Sequence, residues 1–342
     1  LGGVCLNWGC IPTKALLKSA EVYHNTVHAK DFGVSIQGEV KPDFEAMVSR
    51  SREVANGMSK GIQFLFKKNK IDHLQGQGKL SGKQTVEVRD AEGKSQTYTA
   101  PHIILATGVR FRELPNLKQD GEKVIGYRKA MTLDKQPKSM IVVGSGAIGS
   151  EFADFYRSIG TEVTLVEVLP RIVPIEDEEV SKHLGRSFKK KGIKVMTQAS
   201  IESVDTSGDL VQATVKTKKG EQKLEAEVVL SAVGISSNLE GLGLEEMGVE
   251  TDKDKVQVDE FYRTNVEGVY AIGDIIRGPA LAHVASAEGI ACVEKIAGEN
   301  PDPLDYKNMP SCTYTSPEIA SVGMTEKQAQ EVRARPISDL RD

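Results

Sequence analysis

The sequence predicts an α/β protein built around a doubly wound parallel sheet, and three observations carry that expectation. An apolar run, Ser139–Val143, leads into the glycine loop Gly144-Ser145-Gly146-Ala147-Ile148-Gly149, then a helical period to Ser158 and a second apolar run, Glu162–Glu167. That is the order strand, loop, helix, strand of a βαβ unit. Other apolar runs stop at small-residue turns, at Ala106-Thr107-Gly108, Ala232-Val233-Gly234 and Ala271-Ile272-Gly273-Asp274, as buried strands do where a sheet meets a ligand.

The elements follow in order. After a glycine-rich opening, Pro12 and Thr13 start a helix in which Ala15, Leu16, Leu17 and Ala20 share a face. Residues 44–69 form a second long helix, striped by Met47, Val54, Met58, Ile62, Leu65 and Phe66 and weakened at Gly57 and Gly61. Alternation predicts strands at 85–89 and 96–99, and the unbroken apolar run 103–106 predicts a buried one. Beyond the βαβ unit come a helix at 177–191 and strands near 193–196, 201–204 and 211–216, with 228–233 closing this region. Residues 269–274 are a strand ending in glycine and a carboxylate, 285–298 an apolar helix, and a strand at 311–314 and a helix from Thr325 begin something new after the prolines Pro301 and Pro303. There is no solenoid-type repeat.

A chain of 342 residues is too long for one ordinary core and predicts two or three domains. Its formal charge of -4 and scattered basic residues exclude a nucleic-acid stripe, since Lys67-Lys68 and Lys189-Lys190-Lys191 are solvated helix ends. No run of 18 uncharged apolar residues predicts a membrane span, and no signal-like opening is present, so the expected location is cytoplasmic. Four cysteines are too few for a disulfide scaffold, and six scattered histidines without ligand spacing predict no metal site.

Cys5 and Cys10 stand five apart in Gly2-Gly3-Val4-Cys5-Leu6-Asn7-Trp8-Gly9-Cys10-Ile11-Pro12-Thr13-Lys14. The spacing alone favours two incidental thiols; the flanking residues point to redox chemistry, with Gly9 permitting the local distortion a bridge would need. The GxGxxG loop is a weak signal by itself. Here it follows a strand and opens a helix, and Glu167 ends the next strand about 20 residues beyond the first glycine, the position that accepts ribose hydroxyls and repels a 2′-phosphate. NAD is preferred to NADP on that ground, although Arg171 is near enough in sequence to pair with a phosphate. Asp274 is a candidate for a ribityl hydroxyl, and His283 alone is a structural histidine.

Taken together these residues resemble the pyridine-nucleotide disulfide oxidoreductases, and CLNWGCIPTKALL, Glu167 and SCTYTSPEIASVG are similar to the dihydrolipoamide dehydrogenase family within that class. The resemblance implies two Rossmann-like nucleotide-binding domains, for FAD and NAD(P), and the start of an α+β interface domain. It assigns 1–115 to the FAD domain, 116–235 to the NAD domain, 236–305 to a central domain and 306–342 to dimerisation. Cys5 would be the interchange thiol, Cys10 the thiol beside the flavin, and Lys14 and Glu151 the pair next to the reactive flavin nitrogen. FAD would be held by Lys14, Gly78, Thr107, Gly108, Asp274, Ala280, Leu281, Ala282 and His283. NAD would be held by Gly144, Ser145, Gly146, Ala147, Ile148, Gly149, Glu151, Glu167, Ile201 and Gly234.

The implied reaction passes electrons from a protein-bound dihydrolipoyl dithiol to the Cys5–Cys10 disulfide, to FAD and to NAD. Lipoyl domains of 2-oxo acid dehydrogenase complexes or of the glycine cleavage system would be the partners, in a homodimer. The first βαβ unit of such enzymes and the His and Glu base of their last domain are not found, so little activity is expected of the chain alone. Its tail at 333–342 does not resemble the expected strand. The alternatives are a glutathione or mercuric reductase and a non-catalytic nucleotide-binding fragment.

Overall fold

A computed structural model of the chain describes residues 1–333; the tail expectation above falls almost wholly beyond them. In chain order its helices are α1 (Gly3–Trp8), α2 (Cys10–Val27), α3 (Phe44–Lys68), α4 (Tyr127–Ala130), α5 (Ala147–Ser158), α6 (Glu178–Lys190), α7 (Ala282–Ile296) and α8 (Glu326–Arg333). The protein is mixed α/β, and it divides into two compact units, each assembled from separated stretches of chain.

The larger unit takes residues 2–59, 111–234 and those from 310 onward. Its centre is a five-stranded parallel sheet in the order Val124–Ile125, Val228–Ser231, Ser139–Val143, Glu162–Glu167, Lys194–Thr197. Strands buried on both faces need apolar residues at every position, which is why these runs do not alternate. Within Ser139–Val143, Met140 and Val142 enter a core with Phe152, Phe155 and Tyr156 of α5, Phe188 of α6 and Leu16 of α2. Ile141 and Val143 enter a second core on the other face. Successive strands leave Ser139–Val143 in opposite directions, so the glycine loop that follows it stands at a topological switch point, where open α/β sheets take their ligands.

A meander, not a helix, covers that second face. Ala199–Asp205, Val211–Thr217 and Gly220–Ala226 form a separate antiparallel sheet whose Ala199, Ile201, Ala213 and Val215 pack on Ile141 and Val143. The strands expected at 201–204 and 211–216 therefore do not extend the parallel sheet. Asp177 caps α6 by accepting from the Glu179 N–H at 3.0 Å, which sets the helix start one residue later than expected. α3 runs unbroken through Gly57 and Gly61.

The smaller unit takes Leu1, residues 60–110 and 235–309. It contains the antiparallel sheet Gln77–Gly82, Thr85–Arg89, Ser95–Thr99 and a parallel pair, Ile103–Leu105 with Val269–Ala271. Leu80, Leu105, Tyr262, Val269, Ala271, Ile275 and Cys292 make its core. Among the described residues no helix is long and apolar enough to cross a membrane.

Candidate functional site

The cysteine segment is two helices broken at one residue. α1 stops at Trp8, Gly9 takes φ −144° and ψ −112°, and Cys10 starts α2. The break brings the Cys5 and Cys10 Cα atoms to 4.7 Å, and the two cysteines are disulfide-bonded. A Cβ at position 9 would lie 3.2 Å from both the Cys5 Cα and the Val4 carbonyl oxygen, so glycine serves the close approach as well as the bend. Arg52 of α3 steadies the bend, donating to the Asn7 carbonyl at 2.8 Å while its guanidinium lies 4.7 Å from the Trp8 ring centroid.

Lys14 stands one turn after Cys10 on α2 and therefore on the same face. Its Nζ donates to both Glu151 oxygens, at 2.7 and 2.8 Å, joining α2 to α5. Glu151 is almost fully buried, and its Oε1 also accepts the Tyr314 N–H at 2.9 Å; the Lys14 ammonium lies 4.6 Å from the Tyr314 ring centroid. A buried carboxylate is tolerated because three hydrogen bonds meet it there, two of them from the Lys14 cation.

Each glycine of the loop has its own reason. Gly144 takes φ +96°, and a Cβ on it would reach 2.3 Å from the Ala232 carbonyl oxygen. A Cβ on Gly149 would sit 1.9 Å from the Gly144 oxygen, so only glycine lets α5 pack so tightly on its own loop. No atom lies within 4 Å of where a Gly146 Cβ would stand, leaving room for a ligand against bare backbone at the N-terminus of α5. Glu167 closes the loop: its Oε2 accepts the Ser145 N–H at 2.9 Å and the Ser145 hydroxyl at 2.6 Å, and its Oε1 accepts the Leu169 N–H at 2.8 Å.

Arg171 turns away to local partners, donating to the Pro174 carbonyl at 3.1 Å. Ile148, at the first turn of α5, is exposed, and Ala147 opens that helix. The Ile201 side chain is in the core of the meander, and its carbonyl accepts the Asn116 side-chain N–H. Gly234 has φ +108°, and its carbonyl accepts the Arg112 N–H at 3.0 Å.

In the smaller unit, Thr107 and Gly108 end the strand Ile103–Leu105 in a turn held by Asn238. The Thr107 hydroxyl donates to the Asn238 carbonyl at 2.7 Å, and the Asn238 side chain and main chain donate back to the Thr107 and Gly108 carbonyls at 3.0 and 2.9 Å. Gly108 has φ +66° and open space where a Cβ would be. Asp274 follows Val269–Ala271 in a 3-10 turn, and burial pushes its carboxyl above the usual range, against the pull of Lys255. Ala280, Leu281, Ala282 and His283 lead into α7, with Leu281 as its N-cap residue. Gly78 lies in Gln77–Gly82, opposite Val88.

Sequence reasoning missed three residues. Glu288, 1% exposed on α7, accepts the Gly273 N–H at 2.6 Å and the Tyr306 hydroxyl at 2.8 Å and so anchors the Asp274 turn. Asp154 and Tyr314 meet the Glu151 region. For Glu288 the available signal was a carboxylate inside an apolar helical stripe, which it shares on α7 with Val284, Ala291 and Cys292.

A parallel sheet with a glycine loop at its switch point, beside a short-range disulfide and a half-buried lysine–glutamate pair, defines a dinucleotide-dependent disulfide oxidoreductase. Residues 1–289 match the pyridine nucleotide-disulphide oxidoreductase model and 309–337 its dimerisation domain, and the chain belongs to that family. Within the family it is similar to the dihydrolipoyl dehydrogenases of Rhizobium etli, 48% identical over 97% of this chain and 72% of the relative, and of Zymomonas mobilis, 43% identical over 97% and 71%. The solved structure of LpdA from Mycobacterium tuberculosis superposes with a TM-score of 0.90 at 28% identity, covering 97% of this chain and 72% of that one. FAD and NAD are the cofactors of the dihydrolipoyl dehydrogenases.

Proposed function

We propose that the protein oxidises protein-bound dihydrolipoamide and reduces NAD. The observation that carries this reading is the Cys5–Cys10 disulfide, bent at Gly9 and one helical turn from the Lys14–Glu151 pair. In the first half, a dihydrolipoyl thiolate attacks the Cys5 sulfur and expels Cys10 as thiolate; the second substrate thiol then displaces Cys5, leaving a lipoyl disulfide and a protein dithiol. Lys14 is a cation one turn from Cys10 and favours its thiolate. FAD, when bound, supplies the two-electron relay between those thiols and the nicotinamide. Lys14, Gly78, Thr107, Gly108, Asp274 and residues 280–283 are proposed to hold it; the open face of Gly108 and the half-buried Asp274 carboxyl fit such a group.

NAD is assigned to 144–149, Glu151, Glu167, Ile201 and Gly234. The open backbone at Gly146 suits a pyrophosphate, and Glu167, sitting at the ribose position of the motif, disfavours a 2′-phosphate. The proposal extends to a homodimer through the dimerisation-domain segment, to lipoyl domains as substrate carriers, to a cytoplasmic location, and to the division 1–115, 116–235, 236–305 and 306–342. The test is a steady-state comparison of the FAD-loaded protein with dihydrolipoamide and NAD, and with oxidised glutathione and NADPH. Turnover with the first pair, slow because little activity is expected of the chain alone, and none with the second is expected. The reverse result would move the protein to another disulfide reductase, and turnover with neither would leave a nucleotide-binding role.

A further inference from the structure

α5 carries a second buried carboxylate that the chemistry above does not use. Asp154 lies three residues after Glu151, on the same helix face, and is 3% exposed. Lys191, just past α6, donates to its Oδ1 at 2.5 Å, and the Ser316 N–H donates to its Oδ2 at 2.7 Å. Glu151 is held in the same way by Lys14 and the Tyr314 N–H. Two like charges one turn apart in the interior are each costly, and each is offset by one lysine and one main-chain donor. Both donors come from the same three residues, 314–316, so the two carboxylates grip one short segment at two points.

That segment also brings the Tyr314 ring to the Lys14 ammonium. An ammonium with a carboxylate on one side and an aromatic face on another is confined in direction as well as in position. We propose that Asp154 is a positioning residue: by holding Ser316 it seats Tyr314 against Glu151 and Lys14, and so makes the start of the dimerisation-domain segment a determinant of where the Lys14 charge stands. The inference rests on the reading that Lys14 and Glu151 work beside the flavin.

The experiment uses the FAD-loaded protein and three measurements: amide exchange at residues 314 and 316, the visible flavin spectrum, and kcat with KM for NAD. In Asp154→Ala, exchange at both amides should rise more than tenfold, the flavin bands should shift, and kcat should fall several-fold with KM for NAD unchanged. Asp154→Asn combined with Lys191→Met removes the charges but keeps an oxygen for the Ser316 N–H, and should restore wild-type values. Tyr314→Phe should match wild type, whereas Tyr314→Ala should reproduce the spectral shift and the kcat loss.

Faster exchange at 316 alone in Asp154→Ala, with residue 314, the spectrum and kcat unchanged, overturns the proposal. Faster exchange at both amides with an unchanged spectrum and kcat also overturns it, and Lys14→Met then locates the error. A wild-type spectrum in Lys14→Met places the failure in the reading of the pair, and a shifted one places it in the clamp. Should Asp154→Ala not fold, the exposed Tyr314→Ala decides: wild-type spectrum and kcat there overturn the proposal.

Discussion

Glu167 does two jobs with one carboxylate. Its Oε2 already accepts two bonds from Ser145, so the residue proposed to select the adenosine ribose also braces the glycine loop. Glu167→Ala removes the charge proposed to disfavour a 2′-phosphate, together with hydrogen bonds worth about 1.5–3 kcal/mol each. The preference for NAD over NADP is expected to narrow by roughly tenfold or more, since 1.4 kcal/mol is a factor of ten, with a lowered melting temperature. Kinetics with both cofactors check it, and equal use of the two by the unmutated protein would remove Glu167 from the ribose role. The four thiols separate just as sharply by environment. Cys5 and Cys10 are bonded, Cys312 is exposed, and Cys292 is buried with its thiol pushed up to about 11 by burial. Alkylation of the air-oxidised protein should label Cys312 at once, Cys292 only on unfolding, and Cys5 and Cys10 only after reduction. Mass mapping that finds Cys5 labelled without reductant would contradict the bridge.

At the scale of elements, what was legible was what burial writes into composition. Ser139–Val143 and Val228–Ser231 are apolar on both faces, and their limits were read to within two residues. Gly220–Ala226 is GEQKLEA, exposed at five of its seven positions, so main-chain pairing to Val211–Thr217 makes it a strand and no apolar alternation announces it. Val124–Ile125 is two residues long, too short for any period. The candidate site divides along the same line. The cysteines, the glycine loop and Glu167 carry local spacing; Asp154 and Tyr314 matter through a contact 162 or 163 residues away in the chain, which no local pattern encodes.

The glycines of α3 were expected to weaken that helix, and they lie exposed inside it with no neighbour within 4 Å of a hypothetical Cβ. Gly57→Ala and Gly61→Ala should therefore stabilise the protein by about 0.5–1 kcal/mol each. Thermal melts check this, and a loss of stability would mean that the small surface there is packed against something. The anchor between α7 and the 273–275 turn has a pH signature. Burial holds the Glu288 carboxyl above its usual range, partly opposed by the Gly273 N–H and the Tyr306 hydroxyl. A carboxyl that binds its proton more tightly folded than unfolded destabilises the fold as pH climbs from the unfolded value, about 4.3, through the raised folded one. Glu288→Gln removes that dependence, so the variant should gain stability relative to wild type as the pH rises above the unfolded value. A difference that does not change with pH would show that the carboxyl titrates normally.

For the whole molecule, what matters is how far apart in sequence its contacts lie. The larger unit's parallel sheet draws all five strands from residues 124–231. The smaller unit joins Ile103–Leu105 to Val269–Ala271, and His102 meets Tyr270 across 168 residues of chain. Between those two strands runs most of the other unit, so the parallel pair closes a loop that contains an entire sheet. Loop closure is entropically costly and slow when contacts are this distant. Pulse-labelled hydrogen exchange during refolding should protect Ile141 and Leu165 before Ala271, and simultaneous protection would mean that the two units fold as one. During synthesis the same geometry imposes an order in time. A ribosome that has made Leu105 must add more than 160 further residues before that strand finds its neighbour. Until then the turn that ends in Thr107 and Gly108 has a strand behind it but no sheet, whereas the five-stranded sheet has all of its strands by residue 231.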